Sequence, residues 1–351
     1  MTAPARPGST LDYPFPARPE LGEAIQVAAG VHWVRMRLPM QLNHINLWLL
    51  EDGDGWTIVD TGINDEATKA AWQMLFTGAM GARPVSRVIV THLHPDHVGL
   101  AGWLTERFEV KLWMTRTDYL LCRMLVADTG RQAPEEGVRF YRAAGFSDSA
   151  IEQYRARFGF FGRGVYRLPH AYRRLRDGES IEIGGHAWQV VIGRGHAPEH
   201  ACLWRREDNV FLSGDQILPR ISSNVSVFPT EPEGNPLQDW LDSCAKLRAL
   251  LPDEALILPS HNEPFRGARL RLTELIHEHE ENMEKLVELC VQAKRAVDVF
   301  PALFRSRITA GNYGMATGES IAHLNCLMAR GLIRRSVDDN GVAWYEARRS
   351  A

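Results

Sequence analysis

The sequence lacks the cysteine pattern of a disulfide-bonded or zinc-knuckle protein. Its five cysteines are scattered, and no two of them stand at Cys-x-x-Cys spacing. An odd number of cysteines without close pairs argues against a disulfide framework, so we expect the thiols to be reduced. The residues concerned are Cys122, Cys202, Cys244, Cys290 and Cys326.

Long apolar runs and an excess of charge are missing as well. No segment reaches the ~20 apolar residues that a membrane-spanning helix needs, and no basic start precedes an apolar stretch. The formal net charge of −3 gives no basic footprint for nucleic acid, and the basic run 172–176 is expected to be solvated surface. We therefore expect a cytoplasmic protein with a small-molecule substrate and no membrane contact. Nucleic acid is a disfavoured alternative partner, and the sequence leaves room for a homo-oligomer.

The length of 351 residues, 45% of them hydrophobic, allows one large domain with an appendage. Proline-rich residues 1–20 predict a flexible N-terminal arm. Strand and helix patterns alternate over residues 21–268 and predict an α/β (α+β) catalytic domain. Residues 269–351 combine helical pieces with a hairpin turn at 338–341, which is typical of a small winged-helix-like module.

The most informative motif is a cluster of histidines and an aspartate that follows a predicted strand. The run Thr91-His92-Leu93-His94-Pro95-Asp96-His97 comes directly after Val88-Ile89-Val90. A buried strand holds such side chains on the rigid edge of a sheet. Neutral imidazoles combined with a carboxylate suit Zn, Fe, Mn or Co better than Ca or Mg. The cluster therefore predicts a metal site, and a chance polar turn is the weaker alternative.

More candidate ligands stand at the ends of later predicted strands. His196, Asp215 and His261 each follow a short run of apolar and β-branched residues. The cluster at 92–97 alone leaves a site for two metal ions short of ligands. These three isolated residues supply the additional ligands that a site for two metal ions needs.

The full order, HxHxDH followed by a lone His, a lone Asp and a final His, resembles that of the metallo-β-lactamase-fold hydrolases. The motifs run from Asp60 to His261 and are specific as a set. The resemblance implies a four-layer αβ/βα sandwich with a di-metal cleft at one edge, in a family that includes glyoxalase II-like thioesterases, lactonases and phosphodiesterases. The chain after Leu270 resembles the winged-helix tail of a subgroup that includes β-lactamase-like protein 2.

The resemblance also implies two divalent metal ions, zinc first, with iron or manganese as alternatives. One ion would be bound by His92, His94 and His196 and the other by Asp96, His97 and His261, and Asp215 would bind both. A water held between two cations loses its proton near neutral pH, and the same ions polarise the substrate oxygen. The resulting hydroxide would attack the substrate.

Asp96 and Asp215 are the predicted catalytic residues. Asp96 would lie beside the bridging position, where it could orient the nucleophile or pass a proton to the leaving group. Asp60 matches an aspartate of the family and is expected to accept the N–H of a ligand imidazole. A turn-capping aspartate is the alternative interpretation of Asp60.

Two departures from the commonest family pattern bear on the substrate. Arginine stands before Gly195-His196 where proline is frequent, and Glu199-His200 replaces a Gly-His pair. A lone histidine is more often structural, and the polar loop after Asp215 could equally be a satisfied surface loop. The candidate substrate-binding residues are Arg194, His200, Gln216 and Asn224.

Residues 115–170 are rich in aromatic side chains and predict a helical insertion. It could act as a lid with an apolar wall, although the same aromatics are equally expected as ordinary core. The sequence thus predicts a dinuclear metal hydrolase whose bridging hydroxide attacks a thioester, a lactone or a related ester. Phosphodiester or RNA cleavage is one alternative. A mononuclear iron enzyme similar to persulfide dioxygenases is another, which the complete ligand set disfavours.

Overall fold

Two β-sheets lie face to face at the centre of the computed structural model, which describes residues 10–40 and 42–348. In these residues the first sheet has seven strands, β1 to β7 in spatial order. Their bounds are Ile25–Ala28, Val31–Arg37, His44–Asp52, Gly55–Val59, Val85–Ile89, Leu112–Met114 and Tyr172–Arg174. The second sheet has the order β12-β11-β10-β9-β8. From β8 to β12 the bounds are Ser180–Ile183, His186–Gly193, His200–Arg205, Val210–Gly214 and Leu256–Pro259.

Helices cover the outer faces of both sheets. From α1 to α10 they are Glu66–Thr77, Pro95–Val98, Ala101–Phe108, Arg116–Ala127, Glu135–Ala143, Asp148–Arg157, Pro236–Leu250, Ala268–Leu289, Phe300–Leu303 and Tyr313–Ala329. Short 3-10 helices are Phe160–Gly164 and Ala296–Val299, and a hairpin consists of β13 (Ile333–Val337) and β14 (Ala343–Ala347). No helix of the described chain is long and apolar enough to cross a membrane.

The side chains of each strand alternate between two buried layers. Trp33 on β2 packs between the sheets, where its ring stacks on Trp48 at 6.4 Å, whereas Val34 faces the helix α1. This alternation follows from the period of two along a strand. On the other side, α7 and α8 pack on the second sheet through Trp240 and Leu272. The order helix, sheet, sheet, helix confirms the predicted four-layer sandwich.

Strands β1 to β4 form an antiparallel meander, and β5, β6 and β7 then add in parallel. The expectation of solvated surface at 172–176 was only partly right, because Arg176 is exposed whereas residues 172–174 are half-buried. Tyr172–Arg174 is the edge strand β7, and Leu175 beside it is buried. Arg173 explains the error, because its guanidinium lies 4.2 Å from the Trp113 ring and pairs with Glu179, so its charge is compensated locally.

The chain ends pack against the sandwich where they are described. Residues 1–9 of the predicted arm lie outside the described residues, whereas Asp12 pairs with Arg266 through backbone hydrogen bonds of 3.3 and 2.8 Å. At the other end, Leu327 on α10 and Tyr345 on β14 share one buried cluster with α7 and α8. The module predicted at 269–351 therefore has no separate core in the described chain.

Replacing Leu203, which is fully buried between the sheets, by alanine tests this packing. Leu203→Ala leaves a cavity and should lower the free energy of unfolding by about 2–5 kcal/mol. The measurement is the urea denaturation midpoint. The matched control, Leu120→Ala, truncates a leucine that is 56% exposed and should leave the midpoint nearly unchanged. Equal midpoints for the two variants would contradict the sandwich core.

Candidate metal centre

The loops that carry the predicted ligands meet at one edge of the two sheets. Hydrogen bonds between the sheets fix this arrangement: Ala201 N–H donates to the carbonyl of Thr91 at 2.8 Å, and Asn46 N–H donates to the carbonyl of Ser260 at 2.7 Å. Thr91 starts the histidine cluster, and Ser260 precedes His261. The strand ends of one sheet are therefore tied directly to the ligand loops of the other.

All seven predicted ligands come together in two groups. The candidate ligand atoms within each group lie within 4.8 Å of one another. Ligand atoms at ~2.0–2.1 Å from one zinc ion are at most about 4 Å apart, so small shifts would complete either group. The first group is His92, His94, His196 and Asp215, and the second is Asp96, His97 and His261.

The carboxylate of Asp215 faces both groups. Its Oδ2 lies 3.3 Å from Nε2 of His196 and 3.5 Å from Nε2 of His97, while its Oδ1 lies 3.6 Å from Nε2 of His261. Asp96 stays on one side, with Oδ2 at 3.4 Å from the His261 ring. Asp215 therefore occupies the shared position between the groups.

Three of the imidazoles are oriented by hydrogen bonds from Nδ1. His196 donates to the carbonyl of Asn224 at 2.7 Å, and His261 donates to the carbonyl of His44 at 2.9 Å. The third ring, His97, has its Nδ1 at 2.8 Å from Asp60. An Nδ1–H donor leaves the Nε2 lone pair of a neutral ring available for a metal ion.

Several of these inward-pointing atoms are buried without any partner in the described chain. They include Nε2 of His97, Nε2 of His196 and Oδ1 of Asp215. Buried polar atoms without hydrogen bonds are costly, so a group that satisfies them is expected. Imidazole nitrogens and carboxylates are ligands for zinc and related divalent ions, and these residues fit such ions.

Electrostatics keep His94 and Asp215 in the forms that bind cations, whereas at His97 and His261 burial is outweighed by the neighbouring aspartates, which raise the pKa of both rings. Burial, together with the neighbouring His196, lowers the pKa of His94 to about 3, so the ring is neutral. Burial works to raise the pKa of Asp215, but the charges of His97 and His261 hold it well below its usual range. Asp215 is therefore an anionic carboxylate.

Asp60 supports the cluster from the end of β4. It is fully buried and has a φ of 62°, which is uncommon for a residue other than glycine. Its Oδ1 accepts the backbone N–H of Thr91 at 2.8 Å, and its Oδ2 accepts the Thr91 hydroxyl at 2.8 Å. With the contact to His97, these bonds favour the predicted imidazole acceptor over a simple turn cap.

Sequence reasoning missed Asp118, a fully buried aspartate on α4. It accepts the N–H of Leu93 at 3.0 Å and the N–H of Glu199 at 2.8 Å, so it joins two ligand loops. Burial raises its pKa to about 7. Its local sequence resembles an ordinary helix start with an acidic first turn, so no signal distinguished it.

The candidate substrate-binding residues lie in different surroundings. His200 is fully buried and its Nε2 accepts the N–H of Asp215 at 3.0 Å, so it supports the site instead of contacting substrate. Gln216 is also fully buried, which leaves it no surface for a substrate. The burial of His200 and Gln216 does not support direct contact with a substrate, and burial, unlike sequence position, depends on the whole fold. Arg194 is exposed, and Asn224 is half-buried.

An αβ/βα sandwich with imidazole and carboxylate groups at one edge defines a metallo-hydrolase. The chain belongs to the metallo-beta-lactamase superfamily, whose sequence pattern matches residues 41–261. Residues 283–348 match a metallo-beta-lactamase-like C-terminal domain. The predicted family, fold and hydrolase class are thereby confirmed.

Solved and curated relatives cover most of the chain. The crystal structure of a beta-lactamase domain protein from Burkholderia ambifaria is 40% identical, with a TM-score of 0.89 over 96% of this chain and 98% of that one. The probable metallo-hydrolase YqjP of Bacillus subtilis is 23% identical over 90% of this chain and 98% of its own. Acyl-coenzyme A thioesterase MBLAC2 of Gallus gallus is 25% identical over 70% of this chain and 82% of its own.

The variant Asp60→Asn tests whether the Asp60 carboxylate orients the histidine cluster at 92–97. One carboxylate oxygen becomes an NH₂ group, which cannot accept from Thr91 or His97, so the His97 ring should lose its orientation. We expect about 10–100-fold weaker metal binding, measured by equilibrium dialysis against buffered Zn²⁺. The control Asp54→Asn lies in an exposed turn and should bind metal like the unmodified protein. Unchanged affinity in Asp60→Asn would rule out this supporting role.

Proposed function

We propose that the protein hydrolyses a thioester, a lactone or a related ester, using two divalent metal ions held by the seven grouped side chains. The observation that carries the proposal is the carboxylate of Asp215, which faces ligand atoms of both groups at 3.3 to 3.6 Å. Two cations bound there would lower the pKa of a coordinated water and polarise the substrate's carbonyl oxygen. Zinc suits the nitrogen-rich donor set, with iron or manganese as alternatives.

The protein's own groups would orient the reactants and move the proton. Asp215, with 8% of its side chain exposed, is enclosed by imidazoles and serves to hold the two halves together. Asp96 has 17% of its side chain exposed and lies on the side of His261. A carboxylate that reaches the cleft beside the reacting atoms can hold a proton and deliver it to the leaving group. The acyl-coenzyme A thioesterase MBLAC2 among the relatives supports an acyl substrate with a thiol leaving group.

Charged residues near His261 bear on the kind of ester. Glu263 stands two positions after His261, and its carboxylate contacts Arg18 on one side. On the other side it accepts from Nε of Arg220 at 3.2 Å. Both arginine side chains are 54% exposed, so they can also reach a bound molecule.

Arg35 adds a third positive charge to this area. Burial lowers its pKa, the charge of Arg18 lowers it further, and the charges of Glu263 and Glu20 raise it. Arg35 has no ion-pair partner within 4.0 Å in the described chain, and its Nε is buried without a hydrogen bond. The arginine cluster (Arg18, Arg35 and Arg220) thus exceeds the nearby glutamates in charge. This excess favours an ester that carries a carboxylate or a phosphate.

Asp215→Ala, assayed together with metal content, tests the proposed hydrolysis. Without the shared carboxylate we expect turnover to disappear and bound metal to fall. The assay covers p-nitrophenyl ester, acyl-coenzyme A, lactone and bis-phosphate substrates, with metal measured on the same samples. Asp253→Ala, at an exposed surface position, should behave like the unmodified protein.

The same assay separates the alternatives. Full activity of Asp215→Ala, or of a metal-free preparation, would overturn the proposal. Cleavage of the bis-phosphate alone would favour a phosphodiesterase, and one iron per chain with oxygen uptake would favour an oxygenase.

Arg220→Gln tests the preference for an anionic ester. Exposed charge interactions of this kind contribute about 0.2–1 kcal/mol, so KM for an anionic thioester should rise by about 1.4-fold to fivefold, with kcat nearly constant. A neutral thioester should show no change in KM. The control Arg334→Gln removes an equal charge from the distant hairpin and should change neither value. Equal effects on both thioesters would contradict the proposed role of the arginine cluster.

A further inference from the structure

The helix α10 lies directly against the loop that follows Asp215. Val227 N–H donates to the carbonyl of Gly318 at 3.0 Å, and the Ser226 hydroxyl lies 3.3 Å from the carbonyl of Met315. A Cβ atom on Gly318 would come within 2.8 Å of the Ser226 side chain and 2.9 Å of the Val227 carbonyl. Glycine at this position therefore allows the C-terminal helix to touch the loop backbone.

The same loop presents the carbonyl group that orients His196. The acceptor is the main-chain oxygen of Asn224, at 2.7 Å from Nδ1 of His196. Both ends of the Asn224 amide are held: Nδ2 donates to Oε2 of Glu319 at 2.7 Å, and Oδ1 accepts the Ser226 hydroxyl at 2.6 Å. A chain of two hydrogen-bonded residues thus connects α10 to a predicted metal ligand.

A second chain of hydrogen bonds joins the loop to the same turn of α10. Because Nδ1 of His323 donates to the carbonyl of Glu319 at 2.8 Å, its Nε2 must accept, and Nδ1 of His279 donates to it at 3.2 Å. Nε2 of His279 in turn accepts the Ser222 hydroxyl at 3.2 Å. Burial lowers the pKa of His279 to about 3 and that of His323 to about 4, so both rings are neutral and the direction of the chain is fixed.

The carboxyl group of Glu319 has a single side-chain partner. Within the described residues it takes part in no ion pair, and Asn224 makes its one side-chain hydrogen bond. Burial raises the pKa of this carboxyl group to about 7, which shows that its surroundings disfavour the charge. A buried carboxyl group lowers the stability of the fold unless a hydrogen bond compensates for its lost hydration, and here that hydrogen bond is the one from Asn224.

We propose that Glu319 is a positioning residue of the metal centre: through the side chain of Asn224 it fixes the carbonyl group that orients His196. This inference rests on the proposed function only in taking His196 as a metal ligand. An acceptor on the far ring nitrogen sets the orientation and the basicity of a ligand imidazole. The C-terminal module is then part of the metal centre, although it supplies none of the seven ligands.

Glu319→Ala and Glu319→Gln test the proposal in the full chain. Glutamine keeps an oxygen that accepts from Asn224, whereas alanine does not. We expect Glu319→Ala to weaken metal binding at one of two sites by up to about 10-fold, the low end of the range for direct partners of ligand histidines, because Glu319 acts through Asn224, and Glu319→Gln to restore most of the affinity. The measurements are Co²⁺ affinity, by competition with a chromogenic chelator, and the visible spectrum of the Co²⁺-loaded protein, which should shift in Glu319→Ala. The control Glu284→Ala removes an exposed glutamate from α8 and should change neither.

The outcomes separate this inference from the proposed function. Wild-type Co²⁺ affinity and spectrum in a folded Glu319→Ala variant would overturn the role of Glu319 and leave the proposed hydrolase intact. Failure of the unmodified protein to bind two metal ions would overturn the proposed function itself. If Glu319→Ala lowers the urea midpoint sharply, Asn224→Ala decides, because it removes the linking amide from the loop and keeps α10 whole. Unchanged Co²⁺ affinity in Asn224→Ala would then refute the inference.

Discussion

The site depends first on the buried carboxylate of Asp60. Its two oxygens contact the backbone N–H of Thr91, the Thr91 hydroxyl and the His97 ring, each at 2.8 Å. A buried charge is tolerated only when such hydrogen bonds replace its hydration. The Thr91 carbonyl meanwhile accepts from Ala201 of the second sheet. The carboxylate of Asp60 thus fixes the start of the histidine cluster at the point where the two sheets are joined. The positions of the remaining candidate ligands are set relative to this cluster.

The sandwich supplies the strand ends, but residues outside its sheets hold the ligand loops in place. Asp118 on α4 ties together the loops that carry His94 and His196, which the separate strands β5 and β9 bring to the same edge. Near His261, Glu263 is held between Arg18 of the N-terminal segment and Arg220. Orientation by surrounding groups before any ion binds reduces the cost of assembling the site, since the ligands do not have to be ordered at that moment.

The grouping of the seven candidate ligands and the sandwich were predictable because each signal is local to one strand and the loop that follows it. A β-branched strand followed by His92-Leu93-His94-Pro95-Asp96-His97 can be recognised within a dozen residues, and the family pattern adds the rest. Apart from the contact of Asp60, which the family pattern indicated, the supporting contacts were not predictable, because their partners are distant in sequence and carry no periodicity. Asn224 meets Glu319 across 95 residues, and Leu93 meets Asp118 across 25. Burial was not predictable either, because nothing in the local sequence indicates that the ring of His200 is buried and stacks on the ring of His92 at 4.8 Å.

The contacts between the insertion and the C-terminal module limit how a lid could work. Val297 N–H donates to the carbonyl of Ala144 at 3.2 Å, and the rings of Phe146 and Tyr313 lie 4.8 Å apart. A Cβ atom on Gly145 would come within 2.9 Å of Val297, so the two segments are packed at van der Waals distance. Opening of α5 and α6 would have to break these contacts or carry the segment 296–313 along. Because α10 begins at Tyr313 and also contacts the Asn224 loop, continuous contacts connect the insertion to the loop that holds the acceptor of His196. A lid made of α5 and α6 would therefore not be independent of the C-terminal module.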